Sequence, residues 1–166
     1  MAAGPTYEPI ATTTLGSAAN SITFSSIAST YTDLRLVITY DATINTSAIY
    51  MRFNSDSGSN YSRTRLQSDG TTVSTGVSTN QTYGILGGTD ASMVYYGIDI
   101  FSYAGSTNKT YLAEFAQDKN GSGQVRRDVG LWRSTSAITS ILLDGSLGGG
   151  QLPAGTIATL FGIKAA

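Results

Sequence analysis

Gln117-Asp-Lys-Asn-Gly-Ser-Gly-Gln-Val-Arg-Arg-Asp-Val-Gly-Leu-Trp-Arg-Ser-Thr-Ser-Ala-Ile-Thr-Ser-Ile-Leu-Leu-Asp144 is followed by a glycine run and then Gly155-Thr-Ile-Ala-Thr-Leu-Phe-Gly-Ile-Lys164. The stretch reads as three strands joined by polar turns, Val125 to Arg133, Ile138 to Leu143 and Thr156 to Ile163. Apolar and polar residues alternate over short runs, and Gly, Asn and Ser punctuate them. No residue group in it resembles a reaction centre. Its low charge and its Ser, Thr, Asn and Gly turns suit a building block that meets other protein surfaces.

The same pattern extends toward the N-terminus. Asp33-Leu-Arg-Leu-Val-Ile-Thr-Tyr-Asp41 puts Leu34, Leu36, Ile38 and Tyr40 on one face. Ser21 to Ile27 does the same with Ile22 and Phe24, and Ala48 to Asn54 with Ile49, Met51 and Phe53. Tyr7 to Leu15 carries Pro9, which predicts an edge strand or a strand beginning at Ile10. Tyr61 to Gln67 is extended. Ala91 to Tyr103 and Asn108 to Gln117 form a hairpin across Ala104 to Thr107. Residues 68–82 are rich in Ser, Thr and Gly, with only Val73 and Val77 as anchors, and predict an exposed loop or a protruding hairpin. About ten strands result, with little or no helix and no βα alternation. The expected fold is all-β, an antiparallel β-sandwich of jelly-roll type. Residues 10–166 form one domain, and residues 1–9 an extended arm.

Composition narrows the chemistry. Of 166 residues, 13% are charged and 40% apolar, with 19 Gly and ten Tyr against one Trp. Soluble domains carry about 25% charged residues, and here Ser and Thr fill the deficit. A net charge of −1 leaves no basic footprint for nucleic acid. No apolar run approaches the roughly 18 residues of a membrane span. The N-terminus lacks the charged and apolar regions of a signal peptide, so synthesis in a cytoplasm is expected, with any exit inside an assembly. There is no Cys and no His, which removes disulfides, thiolate nucleophiles and the commonest general base. Any enzyme is narrowed to carboxylate, Lys, Tyr or oxygen-bound metal chemistry, and the carboxylate candidates are Glu8, Glu114 and Asp99. The last two occupy polar positions of alternating strands, where they point to solvent. No enzyme activity and no metal site are expected.

Asn54-x-Asp56-x-Gly58-x-Asn60 superficially resembles the start of a calcium loop, but Arg65 stands where the bidentate Glu belongs. An Asx-rich turn is the expected structure. Arg52, Arg63 and Arg65 bracket it. If the flanking strands pair as a hairpin, the three would share an outer face and offer forked donors to an acidic partner. Arg126 and Arg127, with Asp128 and Arg133, form a second basic group suited to an interface salt bridge. Trp132 is a core indole or, failing that, a carbohydrate-stacking or interface residue.

Tyr7-Glu-Pro-Ile-Ala-Thr-Thr-Thr-Leu-Gly-Ser-Ala-Ala-Asn-Ser-Ile-Thr-Phe-Ser-Ser-Ile27, Tyr31-Thr-Asp-Leu-Arg-Leu-Val37, Arg52-Phe-Asn-x-Asp-x-Gly-x-Asn-Tyr61 and Gly155-Thr-Ile-Ala-Thr-Leu-Phe-Gly-Ile-Lys-Ala165 resemble small virion structural proteins of tailed bacteriophages. The resemblance implies a β-sandwich in the particle with no cofactor. It suggests a capsid decoration or cement protein on the outer capsid surface. The partner would be the major capsid protein, and the chain would be a trimer or dimer on a local symmetry axis. Tyr7 and Pro9, in the arm, and Arg52, Arg63, Arg65, Arg126 and Arg127 are the expected interface residues. The alternative is a receptor- or carbohydrate-binding module of the tail or head that takes a host glycan.

Overall fold

A computed structural model describes residues 6–41, 48–87, 92–118 and 120–164. Twelve strands follow in order: β1 (Tyr7–Thr14), β2 (Ser21–Phe24), β3 (Asp33–Asp41), β4 (Ile49–Phe53), β5 (Tyr61–Ser68), β6 (Val73–Gln81), β7 (Gly84–Gly87), β8 (Met93–Ile100), β9 (Lys109–Gln117), β10 (Gln124–Trp132), β11 (Ile141–Asp144) and β12 (Ile157–Ile163). The only helix among the described residues is a 3-10 turn, Ser146–Gly148.

The strands form two antiparallel sheets. One has eight strands in the order β1-β12-β3-β8-β9-β10-β5-β6, and the other has four in the order β2-β11-β4-β7. The fold is the expected all-β sandwich, with twelve strands rather than ten. The two additional ones are β6, inside the stretch expected to be a loop or hairpin, and β7. Only β5–β6, β8–β9 and β9–β10 are direct hairpins within a sheet, and the chain otherwise crosses between sheets. Pro9 lies inside β1, which begins at Tyr7 and not at Ile10, with a register shift between Pro9 and Ala11. An edge strand tolerates the missing N–H. Tyr7 to Pro9 therefore belong to the sheet and not to an arm. Met1 to Pro5, and Ala91 at the start of the expected Ala91–Tyr103 strand, lie outside the described residues.

Alternation builds the core. Leu34, Leu36, Ile38 and Tyr40 are buried, as are Ile49, Met51 and Phe53 on the facing sheet. At one end the aromatics converge. Phe53 lies 5.5 Å from Trp132 and 5.9 Å from Tyr111, centroid to centroid, and Tyr61 stacks on Trp132 at 6.4 Å. Tyr111 crosses directly over Gly130, its register partner on β10. A methyl at position 130 would sit inside that ring. Gly130→Ala is expected to destabilise by about 1–3 kcal/mol through overpacking. Thermal unfolding checks it, at about 2–4 °C per kcal/mol for a chain of this size.

Along the inner face of the large sheet the chemistry changes. Ile38, Tyr96 and Phe115 lead across the ladder to Arg126 and Gln67, while Leu36, Ile98 and Ala113 lead to Asp128 and Arg65. The apolar half is covered by the four-stranded sheet, and its edge strand β7 reaches over β10 and β5. The inner face of β6, which carries Ser74, Gly76 and Ser78, is only half-buried.

Candidate functional site: the outer sheet face

Parity decides which β10 residues face outward. Arg126, Asp128, Gly130 and Trp132 are buried on the inner side, so Val125, Arg127, Val129 and Leu131 point away from the core. The register carries that outer face across neighbouring strands, with Ala116, Glu114 and Leu112 on β9, and Ser68, Leu66 and Thr64 on β5. On β6 it continues to Val73, Thr75 and Val77. Leu66, Val73, Val77, Val125 and Val129 are 54%, 68%, 72%, 61% and 53% exposed. Scattered exposed apolar residues are ordinary, but their grouping on one face of a sheet makes that face the candidate site.

The face is not flat. A depression of about 430 Å³ lies among Leu66, Val73, Tyr95, Ala116 and Val125, with Glu114 and Arg127 at its side. A second, of about 300 Å³, lies among Thr64, Val77, Thr110, Val129 and Leu131. Between them Arg127 forms an exposed ion pair with Glu114. Further along, Arg35 Nη1 bonds both oxygens of Asp99, at 2.6 and 2.8 Å, and its Nη2 reaches the Tyr95 hydroxyl at 3.3 Å. The result is a group of exposed apolar residues with paired charges beside it.

The expected arginine groups are distributed differently. β4 and β5 do not pair, because they belong to different sheets. The hairpin that would gather Arg52, Arg63 and Arg65 on one outer face is absent. Arg52 stays on the small sheet, where its Nε donates to the Thr82 carbonyl at 3.0 Å. Arg63 and Arg65 turn to the inner face and join Arg126 around Asp128. Arg126 Nε donates to Asp128 Oδ2 at 2.5 Å and its Nη2 to Oδ1 at 3.1 Å, while Arg63 Nη1 lies 3.6 Å from Oδ1. Burial, and after it the Arg126 guanidinium, lowers the Arg63 pKa from its ordinary value. Arg65 rests its guanidinium on Gly76, and its buried Nε has no hydrogen-bond partner among the described residues. Adjacent in sequence, Arg126 and Arg127 therefore serve opposite faces. Tyr7 lies on exposed β1, edge-on to Phe161 at 6.3 Å, with Pro9 beside it at the sheet edge.

The turn after β4 is an internal anchor. Asn54 and Ser55 adopt positive φ. Asp56 Oδ2 accepts from Trp132 Nε1 at 2.6 Å and from Asn60 Nδ2 at 2.9 Å, and its Oδ1 accepts from the Gly58 amide at 2.8 Å. These donors aim protons at the carboxylate, the reverse of a cation cradle. Burial alone would raise the Asp56 pKa, but the Trp132, Asn60 and Gly58 donors outweigh it and hold the carboxyl below its ordinary value of 3.8. The stabilisation is therefore complete above that ordinary value and is lost as pH falls through the lowered one. Asp56→Ala is expected to cost about 2–3 kcal/mol near neutral pH, from lost charge-assisted bonds and a stranded indole N–H. Urea titrations of both proteins should show that difference shrinking as the pH drops below about 4. Trp132 is 2% exposed, so its ring is not offered to a sugar.

The candidate face does leave a signal in the sequence, which composition and the arginine groups do not reveal. Val125, Val129 and Leu131 have the opposite parity from Trp132, so in one regular strand they cannot share its face. No protein-family model matches this chain, and no curated protein matches it.

Proposed function

We propose that this chain is a virion structural protein, a capsid decoration protein that docks through the outer face of β9, β10, β5 and β6. The observation that carries the docking surface is the exposure of Leu66, Val73, Val77, Val125 and Val129 together on one face of the large sheet. Burying such a face at about 25 cal/mol per Å² supplies the driving force, and the Arg127–Glu114 pair beside it supplies orientation more than affinity. The choice of a capsid shell as partner rests on the resemblance to phage virion proteins. Bound to the assembled shell and not to free subunits, the protein stabilises the shell by mass action.

Co-sedimentation with purified shells of the parent phage tests this. The expected result is saturable binding that raises the temperature at which the shells open. Shells that pellet without the chain, while it binds host envelope glycans, would replace this function with host recognition.

A further inference from the structure

The two edges of the large sheet are treated differently. β1 carries Pro9, a register shift beside it, and a Glu8–Lys164 ion pair, all devices that discourage a further strand. β6, at the other edge, is nine residues long and contains no proline and no charged residue. Its ladder to β5 is regular from Val73 to Ser78. A regular, uncharged edge is a template for another strand.

We propose that two copies of this chain join β6 to β6 across a two-fold axis, antiparallel, with Thr75 opposite Thr75 of the second copy. The occupant is a second copy because the strand is complementary to itself. In that register Val73 faces Val77 of the other chain and Val77 faces its Val73, so the two most exposed valines of the outer face cover each other. On the inner side Ser74 meets Gly76, and no charge on either strand faces a like charge. Pairing β6 to β1 of a neighbour would set this regular edge against Pro9 and its bulge. The two-fold is isologous and closes on itself, so the assembly stops at two. The two eight-stranded sheets then become one, and the outer face proposed for docking is doubled, giving bivalent attachment. The dimer does not depend on the partner being a capsid.

The native chain has no cysteine, so one introduced thiol reports the seam. Opposed residues in an antiparallel pair have Cα atoms about 4.5–5.5 Å apart, within disulfide reach. Under mild oxidation Thr75→Cys is expected to convert nearly completely to a disulfide-linked dimer, while Thr14→Cys on β1 remains monomeric. Native mass spectrometry of the unmodified chain should give twice the chain mass, and Val73→Lys with Val77→Lys should weaken that dimer at least tenfold. A monomer or trimer for the unmodified chain, or equal crosslinking at the two positions, overturns the proposal. So does a dimer that survives both lysines. Shell binding with no dimer would sink this inference alone, and a dimer with no shell binding would sink the proposed function alone.

Discussion

Asp128→Ala is expected to lower the free energy of unfolding by about 3–5 kcal/mol, as removal of one partner from a buried ion pair does. Asp128 and Arg126 have side chains only 1% and 4% exposed. The carboxylate is bonded by Arg126 and approached by Arg63, and Arg65 lies opposite it in the β5 register. Without it, three guanidiniums repel one another in a half-buried space. A domain of ordinary stability has about 5–15 kcal/mol in total, so the variant should approach the limit of folding near room temperature. Urea unfolding measures the loss. Replacing Arg126 and Asp128 together by leucine and valine should recover only the part owed to Arg126, because Arg63 and Arg65 still lack the carboxylate, and a cycle built with Arg126→Leu and Asp128→Val as the single variants gives the coupling. A loss under about 1 kcal/mol for Asp128→Ala would mean that water, not Asp128, supports the arginines.

The second large effect concerns binding and leaves the fold intact. Leu66→Glu with Val125→Glu places charge on the larger of the two outer depressions described above. Both positions are more than half exposed, so each substitution should change stability by only about 0.5 kcal/mol. If the face is the docking surface, each costs about 2 kcal/mol or more at the interface core. Together that is on the order of a thousandfold in affinity. Co-sedimentation should show occupancy collapsing while the circular dichroism and urea midpoint hold. Full occupancy by the double variant would move the interface elsewhere.

Much of the sandwich was legible because burial leaves a period-two record. Leu34 to Tyr40 in β3 and Ile49 to Phe53 in β4 alternate cleanly because one side of each faces the core. β6 left no such record. Its inner residues Gly76 and Ser78 meet Arg65 and Arg63 of β5, and Ser74 meets Gln67, rather than an apolar layer, and its valines face out. A strand at the uncovered flank of a sheet has no need of core residues, so its sequence resembles a loop. β7 is four residues long, too short to show a period. The arginine groups were misplaced for a different reason. Asn54 to Asn60 has the composition of a hairpin turn, yet it carries the chain from one sheet to the other. Asn54 is held by the Ala137 carbonyl and the Thr139 and Ser140 amides. Those long-range bonds are invisible to local composition, and they separate Arg52 from Arg63 and Arg65.

Cryo-electron microscopy of capsids carrying the chain tests the docking claim most directly. Density on the outside of the shell, with β9, β10 and β5 turned toward it and Leu66 and Val125 at the contact, is the predicted result. Density with that face open to solvent, or confined to the tail, would contradict it.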